Sequence, residues 1–308
     1  MKLNSYITKK QLKVNLLLFL FLNAIYFICN VSEFYKRPVH YIEQYIDEYP
    51  QDNVTLVTAL YLIKSKHSIK EYIKWMKSLL MLNTSIVFFT HKLLIDIAAE
   101  MRPKNLHYKT KFIVLEMEDF YSYKHFFKEF NETYKKELDT ISYLTPPLYL
   151  VWAEKAGFLK KAIKHNYFNS SCFYWIDVGY FRDKSWNMSK FVKDWPSDKK
   201  CKNDPRVLLN LLRNFTEREI NGLLNFNEAE HIYLQKTMNT AGGLFGGRAD
   251  FVIRFCDIYY NTLTEFYQKN IYIGKDQNIF TFIGFRHPEI VNLIYTNGDY
   301  YYFANYLS

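Results

Sequence analysis

From residue 53 onward, short apolar runs alternate with longer stretches in which apolar residues recur at helical spacing. Residues 53–63 read N-V-T-L-V-T-A-L-Y-L-I, and residues 69–80 then repeat apolar side chains every three or four positions. Residues 85–90 and 111–115 are two further apolar runs. Strands that alternate with helices are typical of βαβ units, whose sheets are covered by helices on both faces. The pattern therefore predicts an α/β fold with a mainly parallel sheet flanked by helices.

Further helices are predicted from the same periodicity, at residues 93–101, 123–138, 148–165, 207–225 and 248–269, with another helix beginning at Asp276. Residues 184–205 carry charges and two prolines and are predicted to form a surface excursion. The part of the chain that begins at residue 53 therefore has a more regular pattern in its first half than in its second.

Residues 172–177, C-F-Y-W-I-D, form an apolar run that ends on a carboxylate. This run is too short for a free-standing helix and is rich in strand formers, so it predicts a buried strand. Ligands bind outside the carboxyl ends of strands in open α/β sheets, which places Asp177 where it could bind a phosphate-bound metal ion. The alternative is that Asp177 only caps the turn after the strand.

A glycine-rich segment, M-N-T-A-G-G-L-F-G-G, occupies residues 238–247. Glycine lets the backbone approach a ligand where a side chain would clash, although a simple bend between strands would also explain the segment. Neither the P-loop nor the Rossmann fingerprint is present. Asp276 and Gln277 follow at a predicted helix start, where the helix dipole alone would favour an acidic residue.

The amino terminus predicts a membrane anchor. Residues 14–31 are uncharged and just long enough to span a bilayer, and Lys2, Lys9, Lys10 and Lys13 precede them. The positive-inside rule then predicts a cytosolic tail (1–13), a transmembrane signal anchor (14–31), a stem (32–52) and one globular domain (53–308). A cleaved signal peptide and a buried core helix are the alternatives, but the small-x-small cleavage site of a signal peptide is missing.

Glycosylation sequons support the same orientation, because Asn-x-Ser/Thr sites are used only on the lumenal side of a secretory membrane. Sequons begin at Asn30, Asn53, Asn83, Asn131, Asn169, Asn187 and Asn214. We therefore predict a type II membrane glycoprotein of the endoplasmic reticulum or Golgi. Cys172, Cys201 and Cys256 leave room for at most one lumenal disulfide and one free thiol.

The net charge of +9 does not indicate nucleic-acid binding, because the four lysines of the tail supply +4 of it and the remainder forms no basic stripe. Partners of another chemistry are therefore expected.

Several segments together resemble the HtrL/YibB family, from about Asn53 to Leu307. They are V-T-A-L-Y (57–61), P-L-Y-L-V-W-A-E-K-A-G-F-L (147–159), Y-W-I-D-V-G-Y-F-R-D (174–183), A-G-G-L-F-G-G (241–247), K-D-Q-N-I-F (275–280) and D-Y-Y-Y-F-A-N-Y-L (299–307). Members of this family look like glycosyltransferases of the GT-A type, which have a nucleotide-diphospho-sugar transferase fold. The resemblance implies transfer of a sugar from a nucleotide-sugar donor to a glycan or glycoconjugate acceptor.

Carried over residue by residue, the resemblance implies a donor site on four segments. Asp276 would be the catalytic residue, as base, nucleophile or sugar-binding group, with Gln277 beside it. The donor-binding residues would be Val57, Thr58, Ala59, Asp177, Gly179, Arg182, Gly242, Gly243, Gly246, Gly247 and Gln277. A surface ion pair with Asp183 is an equal alternative for Arg182.

The metal is the point of departure from the GT-A pattern. Asp177 takes the place of the first Asp of the Asp-x-Asp signature, but Gly179 replaces the second. The resemblance implies Mn²⁺ or Mg²⁺ at Asp177, and the missing carboxylate leaves a metal-independent site open. It also leaves open an inactive carbohydrate-binding or adhesion module, and a structural lumenal protein, because fold does not determine function.

Overall fold

The computed structural model describes residues 49–136, 143–182, 186–225, 239–271 and 274–308. The predicted anchor at residues 14–31 lies outside these ranges. Among the helices that are described, none is both long and apolar enough for a membrane span. The strands are β1 (Val54–Leu60), β2 (Ser85–Thr90), β3 (Thr110–Val114), β4 (Cys172–Ile176), β5 (Val207–Leu211), β6 (Thr240–Arg248) and β7 (Val291–Tyr295).

The α-helices of the described ranges surround these strands. They are α1 (Ile69–Leu80), α2 (Ile95–Met101), α3 (Tyr121–Lys136), α4 (Pro146–His165), α5 (Lys199–Asn203), α6 (Glu217–Leu224), α7 (Ala249–Gln268), α8 (Asp276–Arg286) and α9 (Tyr302–Tyr306). The long helix α4 begins at the two prolines, because proline is tolerated in the first turn of a helix.

The seven strands form one sheet in the order β3-β2-β1-β4-β6-β5-β7. β6 runs antiparallel to both of its neighbours, and the other pairings are parallel. The predicted α/β fold with a mainly parallel sheet is therefore confirmed. From β1 the chain proceeds outward through β2 and β3, and then returns to the opposite side of β1 as β4. The carboxyl ends of β1 and β4 thus flank the point at which the strand order reverses, where α/β sheets open a crevice.

Both faces of the sheet are buried. Along β1, Val57 and Ala59 pack into a core with α4 and α7, whereas Leu56 and Leu60 pack into a second core with α1 and α2. All seven residues of β1 are buried, as expected for a parallel strand covered on both sides. This double burial holds the ends of β1 and β4 in fixed positions.

Two predictions in the second half of the chain are wrong. Residues 207–225 were expected to be one helix, but they form β5 and then the shorter α6. The run V-L-L-N-L is buried on both faces between β6 and β7, and periodicity alone does not distinguish such a run from a buried helix.

The glycine-rich segment is also not a bend, because residues 240–248 form β6. A Cβ atom at Gly246 would lie 2.1 Å from the carbonyl oxygen of Phe173, and one at Gly247 would lie 2.4 Å from that of Arg206. These two glycines therefore allow close packing between strands, and their predicted role at the donor stays a prediction.

The predicted surface excursion is partly buried where the structure describes it. Trp195 is 2% exposed, and Cys201 forms a disulfide with Cys172 of β4. Cys256 is a buried free thiol. The pairing accounts for the three cysteines as one disulfide and one thiol, and it ties α5 to the strand that leads to Asp177.

Candidate functional site

A pocket opens at the carboxyl ends of β1 and β4. Ala59 and Tyr61 line it from the end of β1, Lys155 from α4, and Asp177 and Gly179 from the turn after β4. The pocket therefore occupies the place where the strand order reverses, which is the usual ligand site of an open α/β sheet.

Lys155 is the central charged group of this pocket. Its side chain is only 4% exposed, and its Nζ lies 3.1 Å from Asp177 Oδ1 and 2.7 Å from Asp276 Oδ2. The same Nζ donates a hydrogen bond of 2.9 Å to the carbonyl oxygen of Gly242. The contact with Gly242 is a hydrogen bond, and the contacts with the two carboxylates are ion pairs at short range. We call Lys155, Asp177, Asp276 and the Gly242 carbonyl the ammonium cage.

The pKa values of the cage follow from burial and from its opposite charges. Burial alone would lower the pKa of Lys155, but the nearby carboxylates of Asp177 and Asp276 outweigh it and raise this pKa above its usual value. Burial also raises the pKa of Asp276, although the Lys155 ammonium works against this shift. The two carboxylates therefore favour the charged form of Lys155, and the Lys155 ammonium favours the ionised form of Asp276.

Asp177 is oriented by its neighbours at the end of β4. Its backbone N–H donates to the carbonyl oxygen of Gly243 at 2.8 Å, and its Oδ1 accepts from Trp175 Nε1 at 2.8 Å. The Lys155 contact falls on the same oxygen. The side chain is 39% exposed and lines the pocket, so the carboxylate is accessible to a ligand there.

A second positive charge stands at the pocket. Arg182 is exposed, donates from Nε to Tyr301 Oη at 2.9 Å, and places its guanidinium 6.0 Å from the ring centres of Trp75 and Tyr301. Aromatic stacking of this kind holds a guanidinium without neutralising it. The alternative partner, Asp183, lies outside the described residues.

Three glycines make room for this arrangement. A Cβ atom at Gly242 would lie 2.9 Å from Asp276 Oδ2, and one at Gly243 would lie 2.2 Å from Tyr300 Oη. At Gly179 a Cβ atom would meet the Trp75 ring at 3.1 Å and the Tyr72 ring at 3.5 Å. Gly242 and Gly243 thus allow Asp276 and Tyr300 to approach β6, and aromatic rings close the space beside Gly179.

The structure brings together four of the residues predicted for donor binding, since Ala59, Asp177, Gly179 and Arg182 all line the pocket. Val57 and Thr58 are instead fully buried within β1. The predicted donor-binding roles of these two residues stay predictions.

Asp276 and Gln277 begin α8, as predicted. Asp276 is 4% exposed and meets the pocket through Lys155, while its Oδ1 accepts from the Gln277 N–H at 2.8 Å. The carbonyl oxygen of Gln277 accepts from the hydroxyls of Thr240 and Thr281. The catalytic role of Asp276 stays a prediction, to which the structure adds a role as counter-ion.

Lys155 is not among the residues predicted from the sequence, although its position in the sequence carries a signal. Lys155 lies one helical turn after Val151 and one turn before Leu159, on an apolar stripe of α4. A lysine on an apolar stripe is expected to be buried, and a buried charge needs oppositely charged or hydrogen-bonding partners. Its partners come from β4, β6 and α8, which are distant in sequence.

The residues of the cage do not fit a divalent cation. Among the described residues, no group of three or more His, Cys, Asp or Glu side chains could hold one. The carboxylates of Asp177 and Asp276 already face an ammonium, and Gly179 adds no third carboxylate. A small divalent ion requires several oxygen ligands, and it could bind Asp177 Oδ1, Asp276 Oδ2 and the Gly242 carbonyl together only by displacing Lys155.

Comparisons with known proteins identify a family and several solved structures of lower similarity. Residues 52–306 match the model of HtrL_YibB, described as a bacterial protein of unknown function. No curated protein matches the chain. Core-mannan synthase A from Aspergillus fumigatus, in its Mn/GDP form, is similar in structure with a TM-score of 0.45 and 11% identity, over 83% of this chain and 80% of that one.

Two structures of LgtC are also similar. An active-site mutant has a TM-score of 0.39 and 11% identity, and the galactosyltransferase in complex with donor and acceptor sugar analogues has 0.38 and 10%; each covers 78% of this chain and 72% of the other.

Proposed function

This chain belongs to the HtrL_YibB family, and from that premise and the geometry of its pocket we propose that it is a glycosyltransferase. It would move a sugar from a nucleotide-sugar donor to a glycan or glycoconjugate acceptor. We include in this proposal that the enzyme is of the GT-A type, as the resemblance of its sequence motifs implies. The observation that carries the proposal is the pocket at the reversal of strand order, where a half-exposed carboxylate stands beside two cations.

The proposed chemistry requires a positive field for the departing diphosphate and a site that orders donor and acceptor. Arg182 lines the pocket with its guanidinium held by two aromatic rings, and Lys155 supplies a second charge from the pocket floor. The accessible carboxylate of Asp177 can accept a hydrogen bond from a ribose or sugar hydroxyl. These groups support a nucleotide sugar as the class of substrate, but they do not identify which sugar it carries.

The activity is tested by incubating the protein with a panel of sugar nucleotides and acceptor glycans and measuring release of the nucleoside diphosphate. We expect release with at least one donor, and its loss in Asp177→Ala. Donor binding without release for every pair would favour the inactive carbohydrate-binding module instead. Absence of binding to every donor would reject the proposal.

Asp177→Ala is expected to weaken nucleotide-sugar binding by about 1.5–3 kcal/mol, roughly 10- to 150-fold in Kd, because it removes a hydrogen bond to a charged group. Isothermal titration calorimetry measures the change. Asp257→Ala is the matched control, since this exposed carboxylate pairs with Lys160 on the outer surface of α4 and α7. Equal affinity of the Asp177 variant and the wild type would make Asp177 only a turn residue.

Asp276→Asn is expected to lower the rate of transfer about 100-fold while nucleotide binding stays nearly intact, if Asp276 acts mainly in the transition state. The substitution keeps an oxygen that can accept from the Gln277 N–H, so the start of α8 should persist. Separate measurement of kcat and of donor affinity checks this. Unchanged transfer would restrict Asp276 to its role as counter-ion.

We also propose that the domain at residues 53–308 lies on the lumenal side of the endoplasmic reticulum or Golgi, anchored by residues 14–31. The disulfide supports an oxidising compartment, and the sequon residues Asn53, Asn83, Asn169, Asn187 and Asn214 are exposed. Asn131 is half-buried and donates its amide to the Phe127 carbonyl. The family description names bacteria, so the compartment needs a direct test.

Treatment of the protein expressed in a eukaryotic host with an endoglycosidase should increase its mobility on a gel. Mobility that does not change, together with cleavage of the domain by a protease added outside sealed vesicles, would reverse the proposed orientation.

A further inference from the structure

We propose that Lys155 is a built-in substitute for a divalent cation, so that this protein binds the diphosphate of its donor without Mn²⁺ or Mg²⁺. The part that concerns the donor rests on the proposed function. The part that concerns metal exclusion rests on the ammonium cage alone, and the two parts can fail separately.

The oxygens around the Lys155 ammonium are of the types that bind divalent cations. Two carboxylate oxygens lie 2.7 and 3.1 Å from Nζ of Lys155, and one backbone carbonyl oxygen lies 2.9 Å from it. Oxygens of these types are also the ones that Mg²⁺ and Mn²⁺ prefer. The ammonium therefore occupies the place at which a divalent ion would find its protein ligands.

The charges at the pocket also match those of a metal site. Asp177 and Asp276 contribute two negative charges, and Lys155 and Arg182 contribute two positive charges, the same total as one divalent cation. The side chain of Lys155 is 4% exposed. If it left its position, the buried carboxylate of Asp276 would lose its counter-ion. An incoming divalent ion would meet a fixed positive charge within contact distance of its own ligands and would be repelled.

Gly179 occupies the position at which a further carboxylate could have completed a metal site. The ring of Trp75 would lie 3.1 Å from a Cβ atom there, and the ring of Tyr72 would lie 3.5 Å away. Trp75 also stacks on Arg182, so the same ring that closes this space holds the second cation of the pocket. The missing carboxylate and the retained cations are thus parts of one arrangement.

The wild-type protein tests the proposal directly. The protein is titrated with UDP and with GDP, each in the presence of Mn²⁺, of Mg²⁺ or of EDTA. For each nucleotide, the affinities under the three conditions should agree within about twofold. A loss of tenfold or more on chelation would overturn the inference. If neither nucleotide binds under any condition, the proposed function loses its support, and the metal titration below still decides whether the cage excludes a cation.

Binding of Mn²⁺ alone, followed by electron paramagnetic resonance, needs no substrate. We expect wild type and Asp177→Ala to bind the same amount of Mn²⁺, because the cage is closed to metal in both. A saturable wild-type site that disappears in Asp177→Ala would contradict the proposal.

Lys155→Ala should open the cage, leaving two carboxylates and a carbonyl around a vacated volume. We expect this variant to gain Mn²⁺ binding and a rise in Tm with added Mn²⁺, as for any ligand that binds the folded state alone. The double variant Lys155→Ala with Asp276→Ala lacks one ligand and should show neither. A folded Lys155→Ala that ignores Mn²⁺ would refute the idea of a cation site. If the variant does not fold, the wild-type titrations decide.

Discussion

Lys155→Met is expected to lower the free energy of unfolding by about 3–5 kcal/mol, the range for breaking a buried ion pair by removing one partner. Methionine keeps most of the volume of lysine, so the loss reports charge more than packing. It leaves the carboxylate of Asp276 buried, with no ammonium at 2.7 Å. Urea denaturation at neutral pH measures the difference.

Lys160→Met provides a matched control, because Lys160 lies on the same helix α4 and its ion pair with Asp257 is about half exposed. Exposed pairs contribute about 0–1 kcal/mol, so this variant should change the stability little. Equal losses in the two variants would mean that the buried contacts of Lys155 contribute no more than a surface pair.

The deficit of Lys155→Met should also depend on pH. Burial raises the pKa of Asp276, and removal of the ammonium removes what opposes that shift. A carboxyl whose pKa is higher in the folded state than in the unfolded state stabilises the fold at low pH, and this stability is lost as the pH rises through the folded pKa. The variant should therefore regain stability on acidification, and Lys155→Met with Asp276→Asn should be less sensitive to pH.

Cys201→Ser is expected to lower the free energy of unfolding by about 3–4 kcal/mol. The disulfide with Cys172 closes a loop with a sequence separation of 29, and an open loop gives the unfolded chain more conformations. Both cysteines are buried, so the serine also introduces a polar group into the core. Thermal and urea denaturation with and without a reductant measure the contribution of the bond.

Reductant should lower the Tm of the wild type and leave that of Cys201→Ser unchanged. Cys256→Ser is the control, because Cys256 is a buried free thiol and this variant should remain sensitive to reductant. A wild-type Tm that does not respond to reductant would show that the bond adds nothing to stability.

Local patterns were sufficient for most elements of the first half of the chain. β2 has the predicted bounds. The helix α4 begins at the two prolines, two residues before its predicted start at Leu148. Short apolar runs bounded by turns and long periodic stretches determine such elements locally. β5 and β6 were missed because a strand buried on both faces shows no alternation, and β6 also contains four glycines, which weaken any strand signal.

The sequence by itself determined which residues stand at the ends of strands and helices. Asp177 follows an apolar run and Asp276 begins a helix, and both positions can be inferred from neighbours within a few residues. The tertiary structure alone decided that these two carboxylates meet at Lys155. The ammonium donates to Gly242, 87 residues away, and its carboxylate partners come from two other elements. A buried cation is stable only where such distant oxygens converge, and no local pattern encodes that convergence.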